Sequence, residues 1–418
     1  MTISGSLLIA STALDAFSDS INVAGNNIAN LNTVGFKASQ LEFAELLPTS
    51  WGDIESGHGV RLQDVSKPFQ QGAFETTSSV TDLAVEGNGF FVVKDAASGI
   101  PYYTRAGQFH LDDAGRLVNA SGLRLQGSAG DIVLEKTLTA PPQATSSLAL
   151  SFNLDASSVP PSAAFPAGAD ASSGAWIAAS NFSSLATLYD SQGNAHDLTF
   201  LFRKSAPNTW EYRVVAQRSE LDSSAANSSD LRQVGAPGTL VFNTDGQLDV
   251  AASRVTDLDG LSWVNGASQS IAAGNLSFSG TVQYDRPSAL FSARQDGFVQ
   301  GAFTGLSIDG QGVITGKFSN GTTRVLGTVT LANFANVDGL NSVGDTLFSP
   351  TIESGAAQTG AAGQGGFGNM LSGALELSTV DLAREFVSLI ISQRAFQVNS
   401  RIITTADQMY SVATDLKS

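Results

Sequence analysis

The residues best able to do chemistry here are three histidines, a few acidic turns and two glycine-rich loops. His58, His110 and His196 stand apart, none with a second histidine or an acid at ligand spacing. A lone histidine of that kind is far more often structural than a ligand. Gly310-Gln311-Gly312, with Gly316 beyond, has the outline of a dinucleotide loop. It lies between strand-like runs and no helix follows, so it reads as a hairpin turn. Gly316-Lys317 lacks the Ser or Thr that a phosphate loop requires, and no G-x-S-x-G elbow occurs. Asp190-Ser191-Gln192-Gly193-Asn194 offers oxygen ligands without the closing Glu of a calcium loop, so Asx-turn chemistry explains it better. The absence of cysteine excludes thiol catalysis, Cys-ligated zinc and a disulfide framework. The expectation is therefore no catalytic residue, no metal ligand and no cofactor: a protein that is not an enzyme.

Composition points the same way. Of 418 residues, 42% are hydrophobic and only 14% charged, so much of the surface suits being covered by neighbours. A net charge of −16 without a long basic run argues against nucleic acid and anionic membranes. No run of 18 apolar residues predicts membrane insertion. No Lys or Arg precedes Lys37, and Leu7-Leu8-Ile9 is too short for a signal-peptide core, so no cleaved signal peptide is expected.

The elements that must carry any function are the two ends. Leu7, Leu14, Ile21 and Ile28 recur every seven residues, and Ile3, Ala10, Phe17, Ala24 and Leu31 form a second series three residues behind. Together they are the a and d positions of a heptad helix. Gly, Asn and Ser stand where e/g charges are usual, so packing and not salt bridging selects the partner. The helix should end by Asn30–Asn32, with Gly35 a left-handed turn. At the other end Ser378 and Asp381 fit a capping box. Leu382, Leu389, Phe396, Ile403 and Tyr410 then recur by sevens, widened by Ile391, Val398 and Val412 and by Ile402, Met409 and Leu416. Apolar residues thus cover more than one face, and such a helix must be buried on several sides. One terminal partner cannot cover it, which points to neighbouring copies of the chain. The assembly interface is accordingly placed on Leu7, Leu14, Phe17, Ile21, Ile28, Leu382, Leu389, Phe396, Ile403 and Tyr410.

Between the ends the chain reads as short strands and turns. Phe90-Phe91-Val92-Val93 is a buried strand entered through Gly87-Asn88-Gly89. Hairpin turns fall at Asp112–Gly115, Asp190–Asn194, Asp245-Gly246 and Asp309–Gly312. Residues 141–180, rich in Ala, Ser and Pro, read as a connection between domains, and glycine-rich 356–369 as a flexible joint. The expected fold is a mainly β multidomain protein with paired N- and C-terminal α-helices, coiled-coil-like, and an inserted outer β domain. Its expected divisions are a helical domain (1–36 and 372–418), an extended connector (37–72), an inner β domain (73–149 and 286–371) and the insertion (150–285).

The segment Asn26-Asn27-Ile28-Ala29-Asn30-Leu31-Asn32-Thr33-Val34-Gly35-Phe36-Lys37 resembles the N-terminal signature of the flagellar rod and hook proteins. Leu375-Glu376-Leu377-Ser378-Thr379-Val380-Asp381-Leu382, with Gln393-Arg394-Ala395-Phe396-Gln397-Val398-Asn399, resembles their C-terminal signature. The signature residues are Asn26, Asn27, Asn30, Thr33, Gly35, Phe36, Gln393, Arg394 and Asn399. Thr379 stands where Asn is usual and Phe396 where Tyr is usual. Leu83–Phe91 with Thr104-Arg105-Ala106-Gly107 is similar to the shared β domain. Leu188–Leu198 followed by Asn208-Thr209-Trp210 is similar to the insertion that hook members carry and the shorter rod members lack.

The resemblance implies a structural subunit that polymerises into the hook, the flexible curved tube that transmits motor torque to the filament. It implies a homopolymer in an extracellular flagellum, reached through the flagellar type III export apparatus. It further implies a distal rod protein, a hook cap and hook–filament junction proteins as partners, and ends disordered until assembly. A distal rod protein and a secreted β-rich adhesin or enzyme stay open as alternatives.

Overall fold

The computed structural model describes residues 3–46, 49–51, 54–56, 58–134, 138–225 and 228–415; Leu416, named above, lies outside them. Helix α1 spans Ile3–Ala29, the short α2 Ser173–Ala178 and the long α3 Leu382–Asp415, and the rest is mostly strand. The chain divides into two units. One holds residues 1–138, 305–317 and 323–418, and the other 139–304 and 318–322.

In the first unit the run Phe90–Lys94 explains itself by period 2. Phe90 and Val92 face one cluster with Tyr103, Phe334 and Phe348, while Phe91 and Val93 face a second with Leu83, Leu125, Ile314 and Leu331. A strand buried on both faces must be apolar throughout. It pairs antiparallel with Pro101–Thr104 on one edge, and with Arg124–Gly127 and Thr330–Asn333 on the other. The first cluster is an edge-to-face set of rings, with Phe69 5.3 Å from Phe90 and 5.0 Å from Phe348.

The second unit is built on an antiparallel sheet in the order 170–172, 230–242, 209–217, 195–206 and 182–189. Alternation along Ala195–Ala206 sends Leu198, Phe200 and Phe202 into a core with Trp210, Tyr212 and Phe278. Leu201 points the other way, against Trp176 of α2. Ser172 caps α2 by accepting the Ala175 N–H, and the Trp176 indole donates to the Leu231 carbonyl at 3.2 Å.

The second unit takes in the expected insertion together with flanking residues 139–149, 286–304 and 318–322. Three expectations are corrected. Residues 141–180 are no linker: strand Leu148–Asn153 pairs with Ala289–Gln295, burying Leu148, Leu150 and Phe152, and α2 follows. Their Ala/Ser/Pro content hid a period-2 core strand. The connector 37–72 contains an antiparallel hairpin, Gln40–Glu45 with Val60–Ser66, laid against α1. The glycine-rich segment is no free joint: Gln358–Ala361 pairs with Thr330–Asn333 and Asn369–Ser372 with Leu83–Glu86. Its glycines serve close approach instead, since a Cβ on Gly368 would stand 2.2 Å from the Glu86 carbonyl.

His196 is also not isolated. Its Nε2 lies 3.1 Å from Asp190 Oδ2, its Nδ1 2.9 Å from Glu220 Oε2, and its ring stacks on Trp263 at 3.6 Å. Tertiary folding supplies the acids that sequence spacing did not. The Asx turn is as read, with Asp190 Oδ1 accepting the N–H groups of Gln192 and Asn194. Burial pushes the Asp190 carboxyl up, but donors from Asn194, Asn265 and His196 outweigh it and hold it well below the usual carboxylate range. A carboxyl depressed on folding stabilises above its unfolded value, near pH 4, and loses that contribution as pH falls. The inserted unit should therefore weaken on acidification below about pH 4. Tryptophan fluorescence during heating checks this, three of the four tryptophans (Trp176, Trp210, Trp263) being there. Asp190→Asn should melt lower at pH 6 and show the smaller further drop at pH 3.

Candidate functional site

Helices α1 and α3 pack antiparallel. Ser20 Oγ meets Ser392 Oγ at 2.8 Å, and seven residues on in one helix and seven back in the other, Asn27 Nδ2 donates to Glu385 Oε1 at 3.0 Å. The most buried positions of α1 are Ala10, Ala13, Ala16, Ala24 and Asn27. Leu7, Leu14, Phe17, Ile21 and Ile28 are each only partly buried. Small side chains at a seam let helix axes approach, and larger ones then flank the contact. On α3, Ser392 and Ala406 are buried, Leu389 and Ile403 half-buried, and Leu382, Phe396 and Tyr410 exposed. The large heptad residues therefore border the intramolecular seam and do not fill it, whereas the heptad alanines Ala10 and Ala24 lie in it.

The N-terminus of α3 is capped by Asp381, whose Oδ1 accepts the N–H groups of Ala383 and Arg384. Ser378 does not share in a capping box; its hydroxyl accepts the Val380 N–H. At the opposite end, α1 stops at Ala29, and Gly35 turns the chain with φ +70°. Gly35 is required twice over, because a Cβ there would also lie 2.5 Å from the Ala106 nitrogen.

The two signature segments meet immediately beyond. The Gly35 N–H donates to the Glu376 carbonyl at 2.8 Å, the Thr379 N–H to the Phe36 carbonyl, and the Ala38 N–H to Thr379 Oγ1 at 2.9 Å. Thr379 thus makes a backbone contact of its own where Asn is usual. Asn27 is buried and fully used: its Nδ2 donates to the Ser39 carbonyl at 2.8 Å and its Oδ1 accepts the Ser39 N–H at 2.9 Å.

Beneath lies a buried ion cluster. Glu376 Oε1 accepts from Lys37 Nζ at 2.5 Å and the Gly72 N–H at 2.9 Å, and Oε2 is 3.5 Å from Arg105 Nη1. Lys37 Nζ also donates to the Gln70 carbonyl, and Arg105 Nη2 to the Gly87 carbonyl. The guanidinium lies 5.2 Å from the centre of the Phe90 ring. Burial pushes the Lys37 ammonium below the usual lysine range, against the pull of Glu376, and lowers Arg105 in the same way. The cluster ties the chain leaving α1, the strand leading to α3 and the Arg105 end of the β sheet into one joint. Each charged member lies in a segment that resembles the family, but the sequence by itself assigns none of them a role. The available signal was Glu376 between Leu375 and Leu377: a charge inside an apolar strand needs a buried counter-charge.

The remaining signature residues have other placements. Asn30 donates to the Asn26 carbonyl and accepts from Thr33 Oγ1, and Asn399 donates to the Ala395 carbonyl within α3. Gln393 and Arg394 are exposed on α3, and no side-chain hydrogen bond or ion pair holds them among the described residues.

Four domain families match: the flagella basal body rod protein family at 7–37, the flagellar hook protein FlgE/F/G D1 domain at 84–153, the flagellar basal body protein FlaE D2 domain at 153–298, and the flagellar basal body rod FlgEFG protein C-terminal family at 371–416. The flagellar hook protein FlgE of Escherichia coli K12 is 33% identical over 98% of this chain and 99% of that protein. The FlgE of Salmonella typhimurium is 34% identical with the same coverage, and that of Borreliella burgdorferi 32% identical over 95% and 96%. A crystal structure of the Helicobacter pylori flagellar hook protein FlgE2 shares the fold, with a TM-score of 0.50 at 15% identity over 72% of this chain and all of that one. With near-complete coverage at a third identity, and both signatures joined at the base of the helical pair, the chain belongs to the flagellar hook protein family.

Proposed function

We propose that the chain is the subunit that polymerises into the flagellar hook, the curved tube transmitting motor torque to the filament, and that its paired terminal helices are the polymerising surface. One observation supports this most directly. Although α3 is already paired with α1, it exposes Phe386, Val387, Ile390, Ile391, Val398, Met409, Tyr410 and Val412, several of them by more than half. An apolar surface of that extent on a helix calls for further partners. Copies joined through unlike surfaces give an open helix instead of a closed ring.

In this reading the helices form the tube's inner wall, and the ion cluster transmits their torque to the β units. Lightly charged β surfaces re-form wet contacts as the tube bends on each turn. The distal rod protein, hook cap and hook–filament junction proteins are its neighbours along the axis. The flagellar type III apparatus exports it to the extracellular hook. The reading gives the protein no catalytic role.

Deleting the gene tests this. Electron microscopy should show basal bodies retained and hooks and filaments lost. Truncated rods would favour the distal-rod reading, and intact hooks would overturn both.

A further inference from the structure

Within the helix-bearing unit, one cleft gathers features that the helical pair leaves unused. It encloses about 340 Å³ and is lined by the signature residues Asn26, Asn30 and Thr33, together with Lys67, Asp345 and Thr346. Three observations converge there.

The first is Lys67. It is half-buried, its ammonium 6.0 Å from the centre of the Phe348 ring, and no hydrogen bond or ion pair holds it among the described residues. Burial pushes its pKa below the usual lysine range. The other lysine lining the cleft, Lys37, is already paired with Glu376. The carboxylate across the cleft, Asp345, accepts from Ser121 Oγ at 3.2 Å and makes no ion pair with Lys67.

The second is backbone strain. Strands Asn341–Gly344 and Leu347–Ser349 are joined by the two-residue turn Asp345-Thr346, with φ of +51° and +56°. Such turns favour Asn-Gly, and a β-branched residue at positive φ is a genuine outlier. The Thr346 carbonyl is held by Thr104 Oγ1 at 2.9 Å. Strain kept in place by its surroundings marks functional sites.

The third is the signature itself. Asn26 is exposed and lines the cleft, and its carbonyl and Oδ1 both serve Asn30, which leaves its NH₂ a donor with no partner among the described residues. A half-buried ammonium and an amide donor lining one cleft form a site for an acceptor, and a carboxylate is the acceptor that also repays the desolvated charge.

We infer that this cleft receives a carboxylate from a second copy of the chain, with Lys67 as its counter-ion. The assignment rests on the polymerising role proposed above. A neighbouring copy is the fitting source, since each carries 38 acidic residues against 22 Lys and Arg. The pair would be one of the polar contacts fixing register beside the apolar helices.

The test uses tubes assembled from purified full-length chain, half of it isotope-labelled, and a water-soluble carbodiimide. That reagent joins an amine to a carboxylate, with loss of water, only where the two touch. Peptide mass mapping should find Lys67 linked to an Asp or Glu of another copy in tubes, but not in monomers. Lys67→Met should raise the concentration needed for tubes by about tenfold, and Lys67→Arg should restore it. Tubes in which Lys67 stays uncoupled, or couples only to Asp345 of its own copy, overturn the assignment and leave the polymer reading intact. So does shielding of Lys67 from acetylation that depends on added inorganic phosphate. Failure of the unaltered chain to form tubes overturns both.

Discussion

Glu376→Ala is expected to lower the stability of the helix-bearing unit by about 3–5 kcal/mol, because it leaves two buried cations without a counter-charge. Lys37 and Arg105 both reach Glu376, whose side chain is wholly buried. The substitution also leaves the part-buried Gly72 N–H without its acceptor. Urea denaturation of the full chain by circular dichroism measures the loss. A double variant, Lys37→Met with Glu376→Leu, should recover part of it, since apolar replacement of a buried pair is often near neutral. A change below about 1 kcal/mol for Glu376→Ala would show that the cluster does not hold the joint together.

The second large effect falls on assembly. Ile21→Asp and Phe396→Asp should each abolish tube formation while both β units stay folded. In the single chain Ile21 is half-buried and Phe396 is 38% exposed, so a folded monomer can accommodate a charge at either position. On the proposed assembly those side chains meet neighbours, and a carboxylate carried into an apolar contact costs several kcal/mol without a partner. Electron microscopy at matched concentration reads the outcome, with Phe396→Tyr as the control expected to assemble. Normal tubes from either Asp variant would remove the helices from the polymer contact.

Much of the architecture is legible because its cause is local. The alternation in Phe90–Val93, the Asp-led hairpin turns and the sevenfold spacing in both helices each follow from a few neighbouring residues. The places where reading failed share one cause: the deciding partner was far away in sequence. Residues 141–180 look like a linker until strand Ala289–Gln295 pairs with Leu148–Asn153. His196 looks isolated until folding brings Glu220 and Trp263 to it. The glycines of 356–369 look like slack until strands Thr330–Asn333 and Leu83–Glu86 pair with the segment and the Glu86 carbonyl fills the space a side chain on Gly368 would need.

The terminal helices show the division most clearly. By itself the sequence determined that both ends are helices with broad apolar stripes, that they carry the family signatures, and that no catalytic grouping is spelled out. Periodicity is a property of one segment and needs no partner to be read. Only the tertiary structure decided how the stripes are used. Alanines and serines, not the large heptad residues, form the seam within the chain, and the large residues flank it, half-buried or exposed. It also decided that Glu376 is the counter-ion of Lys37 and Arg105, across separations of 339 and 271 residues. Burial turns an ordinary charged triplet into a joint, because only out of water do three charges have to find one another.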